Sequence, residues 1–525
     1  MSADPTAGPA RPARTRTAFR VLPAAALVLA ACFAPLTFGS SASAGPVPAT
    51  QAEGLVCAPG STADFYHPPK APLPTNPSFV LTAQDGYIST PDGNSIYMWG
   101  YAIGGGNYQD PGPVLCVNEG DTVTVTLRNT LPVATSLQFP GMTGVQANGR
   151  DSQPDGATDS LATPAAADAG SAPNRIDTGG ITKVTYTFVA DHPGTFLYES
   201  GTDPQLQVQM GLAGAIVVRP RAGNPCLAGS VSAGTVCTPS AHVYDDPGAT
   251  PGMATDPASC AKVSGGLACF STFNPKNEYL HLLSEIDPKL HEDAESGTYS
   301  YDMTAYQARY FFINGRSFPD TVSPNFAAHV PAQPYGALVH IQPRNTQPGT
   351  DYNPDPALVR YLNAGPVDYP FHPHSNNERE VGFDAHALIN PTGSATPTDA
   401  SVDRFSIVVP PGGTIDSEFA WVDQANWDPK THAINSGGAG DVIVPQQQAR
   451  TEGQFWNGTP YLGRKADLST GVTQYNQCGE MYQVAHSHAL FQATNYGASM
   501  GGMLTMIRID PPNSFSEHAQ CTTGN

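Results

Sequence analysis

His372-Pro-His374 and His486-Ser-His488 are the residues of this chain best suited to chemistry. On a β-strand, alternate side chains share a face about 7 Å apart, so each triplet aims two imidazoles at one spot. Two such pairs on strand-like segments could build a four-imidazole metal cage from His372, His374, His486 and His488. Imidazole-rich sites suit copper, zinc, iron or nickel, and copper has the highest intrinsic affinity of these. One His-x-His alone is weak evidence; two in a chain patterned like this one carry weight. The plainer alternative leaves these histidines with packing or hydrogen-bonding roles only.

The elements that would hold them are strands. The 525 residues include 52 Gly and 51 Pro, which punctuate short β-rich runs and predict an all-β sandwich or barrel. Val123–Leu127 and Val184–Phe188 alternate as half-buried strands should, and Ala213–Val218 reads as a buried closing strand. A first block spans 78–220. A Cys/Gly/Pro-rich, disulfide-pinned connector follows over 221–304. A second block spans 305–512, with strands expected at Ala337–Gln342, Leu358–Leu362, Phe405–Val409 and Leu504–Ile509 and an insertion near 424–478. Residues 45–77 read as an irregular extension, 147–178 as a loop, and 513–525 as a tail. The two blocks read as diverged copies of one unit.

Residues 1–44 have the pattern of a secretory signal peptide. Arg11, Arg14, Arg16 and Arg20 precede an apolar run from Val21 to Phe38, and Ser41-Ala-Ser-Ala44 offers a small-x-small cleavage site. A competing pattern, Leu29-Ala-Ala-Cys32, would place a lipid anchor on Cys32. The formal net charge is −20, and no basic stripe is present, which argues against nucleic acid or anionic lipid as partner. No other run is long and apolar enough to span a membrane. Beyond the leader stand Cys57, Cys116, Cys226, Cys237, Cys260, Cys269, Cys478 and Cys521. An even set in an exported chain implies disulfides. Short intervals suggest Cys226–Cys237 and Cys260–Cys269, although spacing does not settle connectivity. The remaining histidines, His386 among them, read as surface or core residues, and Met500, Met503 and Met506 as packing.

Several runs resemble the cupredoxin domains of multicopper oxidases. Pro111-Gly-Pro-Val-Leu-Cys-Val-Asn-Glu-Gly-Asp-Thr-Val123 resembles a domain opening, and Gly194-Thr-Phe-Leu-Tyr198 with Gly211-Leu-Ala-Gly214 a domain end. In the second block Phe312-Ile-Asn-Gly315, Leu362-Asn-Ala-Gly365, Pro410-Pro-Gly-Gly413, His486-Ser-His488 and Gly502-Met503 are similar to the family again. The resemblance implies two Greek-key β-sandwiches of the two-domain branch. It also implies a metal cluster held between a first and a second domain, often from different subunits of a homotrimer.

The departures from that pattern matter most. Gln138 and Pro140 stand where the family has one histidine pair, and Glu199 and Gly201 where it has another. In the second block the resemblance makes His372 a type 2 copper ligand and His374, His486 and His488 type 3 ligands. Tyr369, Ser487 and Gln492 replace the two histidines and the cysteine of the type 1 site, leaving only Met503. Blue copper needs a thiolate, so neither a type 1 centre nor a full three-copper cluster is expected. The sequence therefore reads as an exported copper-binding protein of this type, with one or two ions at a non-type-1 site and not a true laccase. It would be an oxidoreductase if active. The alternatives are a non-catalytic copper buffer and a metal-free structural or interaction protein. Glu199 is a further candidate ligand, or a hydrogen-bonding group at the rim of the site.

Overall fold

In the computed structural model the described residues are 53–58, 60, 75–151, 182–219, 231–232, 261–263, 266–268, 278–341, 357–374, 377–390, 398–419 and 481–509. The strand Thr122–Asn129 shows why sheets form here. In its sequence TVTVTLRN every second side chain is buried, and β-branched residues fit such a half-buried pleated surface. It sits inside a six-stranded sheet in the order Ser95–Ile103, Ser78–Ser89, Thr122–Asn129, Thr182–Val189, Gln146–Ala147, Arg150–Asp151. The facing sheet has the order Leu115–Asn118, Ala213–Arg219, Gly194–Glu199. Phe79, Val123, Tyr186, Phe196 and Ile216 meet between the two.

The second sandwich repeats this plan. One sheet runs Tyr310–Ile313, Glu278–Ile286, Ala357–Asn363, Thr414–Phe419, Glu378–Phe383, His386–Ala387, and Val402–Arg404 also pairs with Glu378–Phe383. The other runs Val339–Ile341, Leu504–Ile509, Met481–Ser487, Tyr369–Pro373, Ile407–Val409. The parallel pairing of Ser78–Ser89 with Thr122–Asn129 recurs as Glu278–Ile286 with Ala357–Asn363. That of Leu115–Asn118 with Ala213–Arg219 recurs as Val339–Ile341 with Leu504–Ile509. The molecule is all-β, with short helices at Pro204–Gln207 and Pro288–Glu295. No helix among the described residues is long and apolar enough to cross a membrane.

Sequence and structure differ in places. Glu278–Ile286, within the segment read as connector, is a strand of the second sandwich. Helix Pro288–Glu295 follows it, started by Pro288 and by Asp287, whose side chain caps Lys289 N. Gln146–Ala147 and Arg150–Asp151 pair as a hairpin where a loop begins in the sequence reading. The described disulfide is Cys57–Cys116, which pins the N-terminal extension to the first sandwich. The pairings suggested for Cys226–Cys237 and Cys260–Cys269 lie outside the described residues, as do the leader, Cys32, the insertion near 424–478 and the tail.

The sandwiches share an apolar seam and a buried ion network. Ala213, Ala215 and Val217 turn away from their own core to meet Leu280, Leu282 and Leu362, so the strand Ala213–Arg219 is buried on both faces. Arg360 binds Glu278 at 2.7 Å and Asp416 at 3.2 Å. Its Nη1 also donates to Thr195 Oγ1 at 2.8 Å, and Arg219 pairs with Glu278 from the first sandwich. Burial works against an ionised Glu278, yet Arg219 and Arg360 outweigh it and hold this carboxyl below its usual range.

Candidate metal centre

Strand register brings the two triplets together. His372 lies directly opposite His486 on the antiparallel strands Tyr369–Pro373 and Met481–Ser487. The bonds His374 N to Val484 O, 2.9 Å, and His488 N to Pro370 O, 2.7 Å, carry the pairing beyond the strand ends. Alternation sends Phe371 and Pro373 into the protein, while His372 and His374 stay half-buried on the other face. The four rings form one cluster: His372 lies 4.9 Å from His374 and 5.1 Å from His488, and His374 lies 5.0 Å from His486, centroid to centroid.

Backbone carbonyls orient the rings. His372 Nδ1 donates to Phe405 O, and His486 Nδ1 donates to Ser487 O at 2.7 Å. A carbonyl only accepts, so each bond fixes the Nδ1–H tautomer and leaves Nε2 as a lone pair. His374 Nε2 and His486 Nε2 are hydrogen-bonded to each other at 3.0 Å, with His374 the donor because His486 carries its proton on Nδ1. Burial, then its histidine neighbours, pushes His374 down to about 4. Burial is also the main cause that lowers His486. Both imidazoles are neutral at neutral pH, the state a metal ligand needs.

The fit to a metal ion is partial. Two nitrogens each about 2 Å from one ion lie about 3 Å apart, which the Nε2 pair of His374 and His486 matches. Among the described residues, no group of three or more His, Cys, Asp or Glu side chains is arranged to hold an ion. The cage expected from spacing is therefore a close pair with two further imidazoles beside it. His372 is tied to the Phe405 carbonyl, and His488 stands exposed past the strand end.

The positions matched to type 1 copper are closed by other bonds. Tyr369, Ser487, Gln492 and Met503 are all buried. Ser487 Oγ donates to Gln492 Oε1, and Gln492 Nε2 donates to Asp368 O at 3.2 Å. Ser487 N also bonds Met503 O at 3.1 Å.

In the first sandwich, Gln138 and Glu199 form an antiparallel bridge, with Gln138 Nε2 donating to Glu199 Oε1 at 2.7 Å. Burial raises the Glu199 carboxyl against that bond. Glu199 lines a cavity whose walls include none of the four histidines. His386 is apart from the cluster, its ring 5.1 Å from that of His192. Met503 and Met506 are core residues, while Met500 is exposed. Sequence reasoning missed Phe405 as the carbonyl partner of His372; no residue type marks a backbone acceptor.

Residues 90–223 match the family model described as multicopper oxidase. That segment belongs to the multicopper oxidase superfamily, and the all-β double sandwich is its setting. The fold is similar to that of the multicopper oxidase mgLAC, at 16% identity over 82% of this chain and 86% of that one, with a TM-score of 0.45. It is similar to a blue copper oxidase from Nitrosomonas europaea, at 16% identity over 82% and 85%, TM-score 0.45. A copper nitrite reductase from the same organism matches at 16% identity over 82% and 93%, TM-score 0.39. No curated protein matches the sequence.

Proposed function

We propose that this chain is an exported copper-binding protein of multicopper-oxidase type whose copper site is the histidine cluster of the second sandwich. His374 and His486 would hold the ion, with His372 and His488 as further ligands. The observation that carries the reading is the 3.0 Å approach of two Nε2 atoms on neutral imidazoles. Copper there would supply one-electron redox chemistry to a substrate that meets it directly. The chain's own part is to fix the tautomers: the Phe405 and Ser487 carbonyls keep the protons on Nδ1 of His372 and His486 and leave Nε2 for the ion. Metal analysis with electron paramagnetic resonance on copper-loaded protein tests the proposal. About one copper per chain with a nitrogen-ligated, non-blue spectrum is expected, and copper-free protein after loading refutes it.

A non-catalytic copper buffer is the second reading. It is favoured by the Ser487–Gln492 bond, which fills the place where an electron entry site would stand. Oxygen consumption with a panel of reductants separates the two. A homotrimer belongs to the same proposal. Phe405, Leu490 and Phe491, 62–70% exposed, flank the histidines, and sedimentation analysis reads the assembly directly.

A further inference from the structure

A cavity of about 330 Å³ opens between the two sandwiches, at the small end of the range for small-molecule sites. Glu199, Pro204 and Val208 come from the first sandwich and Ala364, Gly365 and Gly412 from the second, as do Met303 and Tyr306, which lie between its strands Glu278–Ile286 and Tyr310–Ile313. At Gly365 a Cβ would lie 1.8 Å from Tyr369 Oη, so this part of the wall is bare backbone. Most of the lining is apolar, and Glu199 is the only charged residue among the described lining residues. Its backbone is clamped by two bonds to Gln138, Gln138 N to Glu199 O at 2.9 Å and Glu199 N to Gln138 O at 3.1 Å. Its Oε1 takes the Gln138 amide, which leaves Oε2 as an acceptor. Tyr306 is already engaged, its hydroxyl donating to Gln209 Oε1 at 2.5 Å.

A positioned carboxylate in an apolar pocket, with no basic residue among its described lining residues, selects a ligand with a cationic head and an apolar body. We propose that this cavity binds a small organic ammonium ion, an arylalkylamine in class, with its N–H groups on Glu199 Oε2 and its body against Pro204, Val208, Met303 and Ala364. The position that the family pattern gives to a histidine would here anchor an organic cation. The inference stands apart from the copper proposal, because none of the four histidines lines the cavity.

Calorimetric titration of the full chain with phenethylammonium and with its neutral analogue 2-phenylethanol tests this without any variant. The ammonium is expected to bind at least about tenfold more tightly than the alcohol, since only it pairs with a partly desolvated carboxylate. In Glu199→Gln, checked for an unchanged circular dichroism spectrum, that preference is expected to vanish. Val208→Phe, which narrows the cavity, is expected to weaken both probes. Copper-free and copper-loaded protein should behave alike. Binding of neither probe by the native chain, equal binding of both, or an undiminished ammonium preference in Glu199→Gln overturns the proposal.

Discussion

Ser487 and Gln492 are joined by a buried side-chain hydrogen bond at two positions that the family pattern assigns to ligands of a blue copper ion. Both side chains are almost fully buried, and each satisfies the other. Met503, matched to the axial position, is bound through the backbone to both, Ser487 N to Met503 O and Met503 N to Gln492 O. The site is thus repacked as ordinary polar core rather than left as a gap.

This arrangement predicts the result of restoring the thiolate. Copper-loaded Ser487→Cys should show no intense blue absorption, because Tyr369 and Gln492 still replace the two imidazoles of the trigonal site. The triple change Tyr369→His, Ser487→Cys and Gln492→His should produce the band if the protein folds. Visible spectra of the native chain and both variants decide it, and a blue native protein would show the motifs to be misaligned.

Removal of either member of the closest pair should weaken copper binding. His374→Ala and His486→Ala should each lower affinity by more than the roughly tenfold that even an outer-shell change costs, and His486→Ala with His488→Ala should abolish stoichiometric binding. His386→Ala should leave copper binding unchanged, since that ring packs on His192. Competition titration against a chelator reads all of these, and undiminished copper in the double variant would move the site elsewhere.

The ion network between the sandwiches should be costly to break from one side. Arg360→Met leaves Glu278 and Asp416 buried with one shared partner gone. A loss of about 3–5 kcal/mol is expected, read as a lower denaturation midpoint in urea. A change below about 1 kcal/mol would mean that water or rearrangement compensates the buried acids.

Glu378 gives a pH test. Burial pushes its carboxyl up to about 7, against the pull of bonds from Ser417 and Tyr361. A raised folded-state pKa contributes stability that is full below the ordinary value of 4.5 and lost as pH rises through about 7. Glu378→Gln should therefore gain on the native chain by about 2–3 kcal/mol between pH 5 and pH 8. His281 and His291, which burial pushes down to about 4, act in the opposite sense but equally in both proteins. Thermal unfolding across that range checks the difference, and a constant gap would remove the protonated reading of Glu378.

Much of this was legible in the chain itself. Period-two alternation placed Thr122–Asn129 and Thr182–Val189, because a strand with one wet face leaves that trace. The two His-x-His triplets announced a cluster for the same reason, since alternate side chains must share a face. Glu278–Ile286 was not legible: eight of its nine residues are buried against its own core or the neighbouring sandwich, and a strand covered on both sides has no period to read. What only the tertiary structure decided is how the rings aim and what replaced the lost ligands. Register put His372 opposite His486, the Phe405 carbonyl turned His372, and the second sandwich closed a cavity over Glu199. Each depends on backbone atoms or on segments distant in sequence, and the chain order of residue types encodes neither directly.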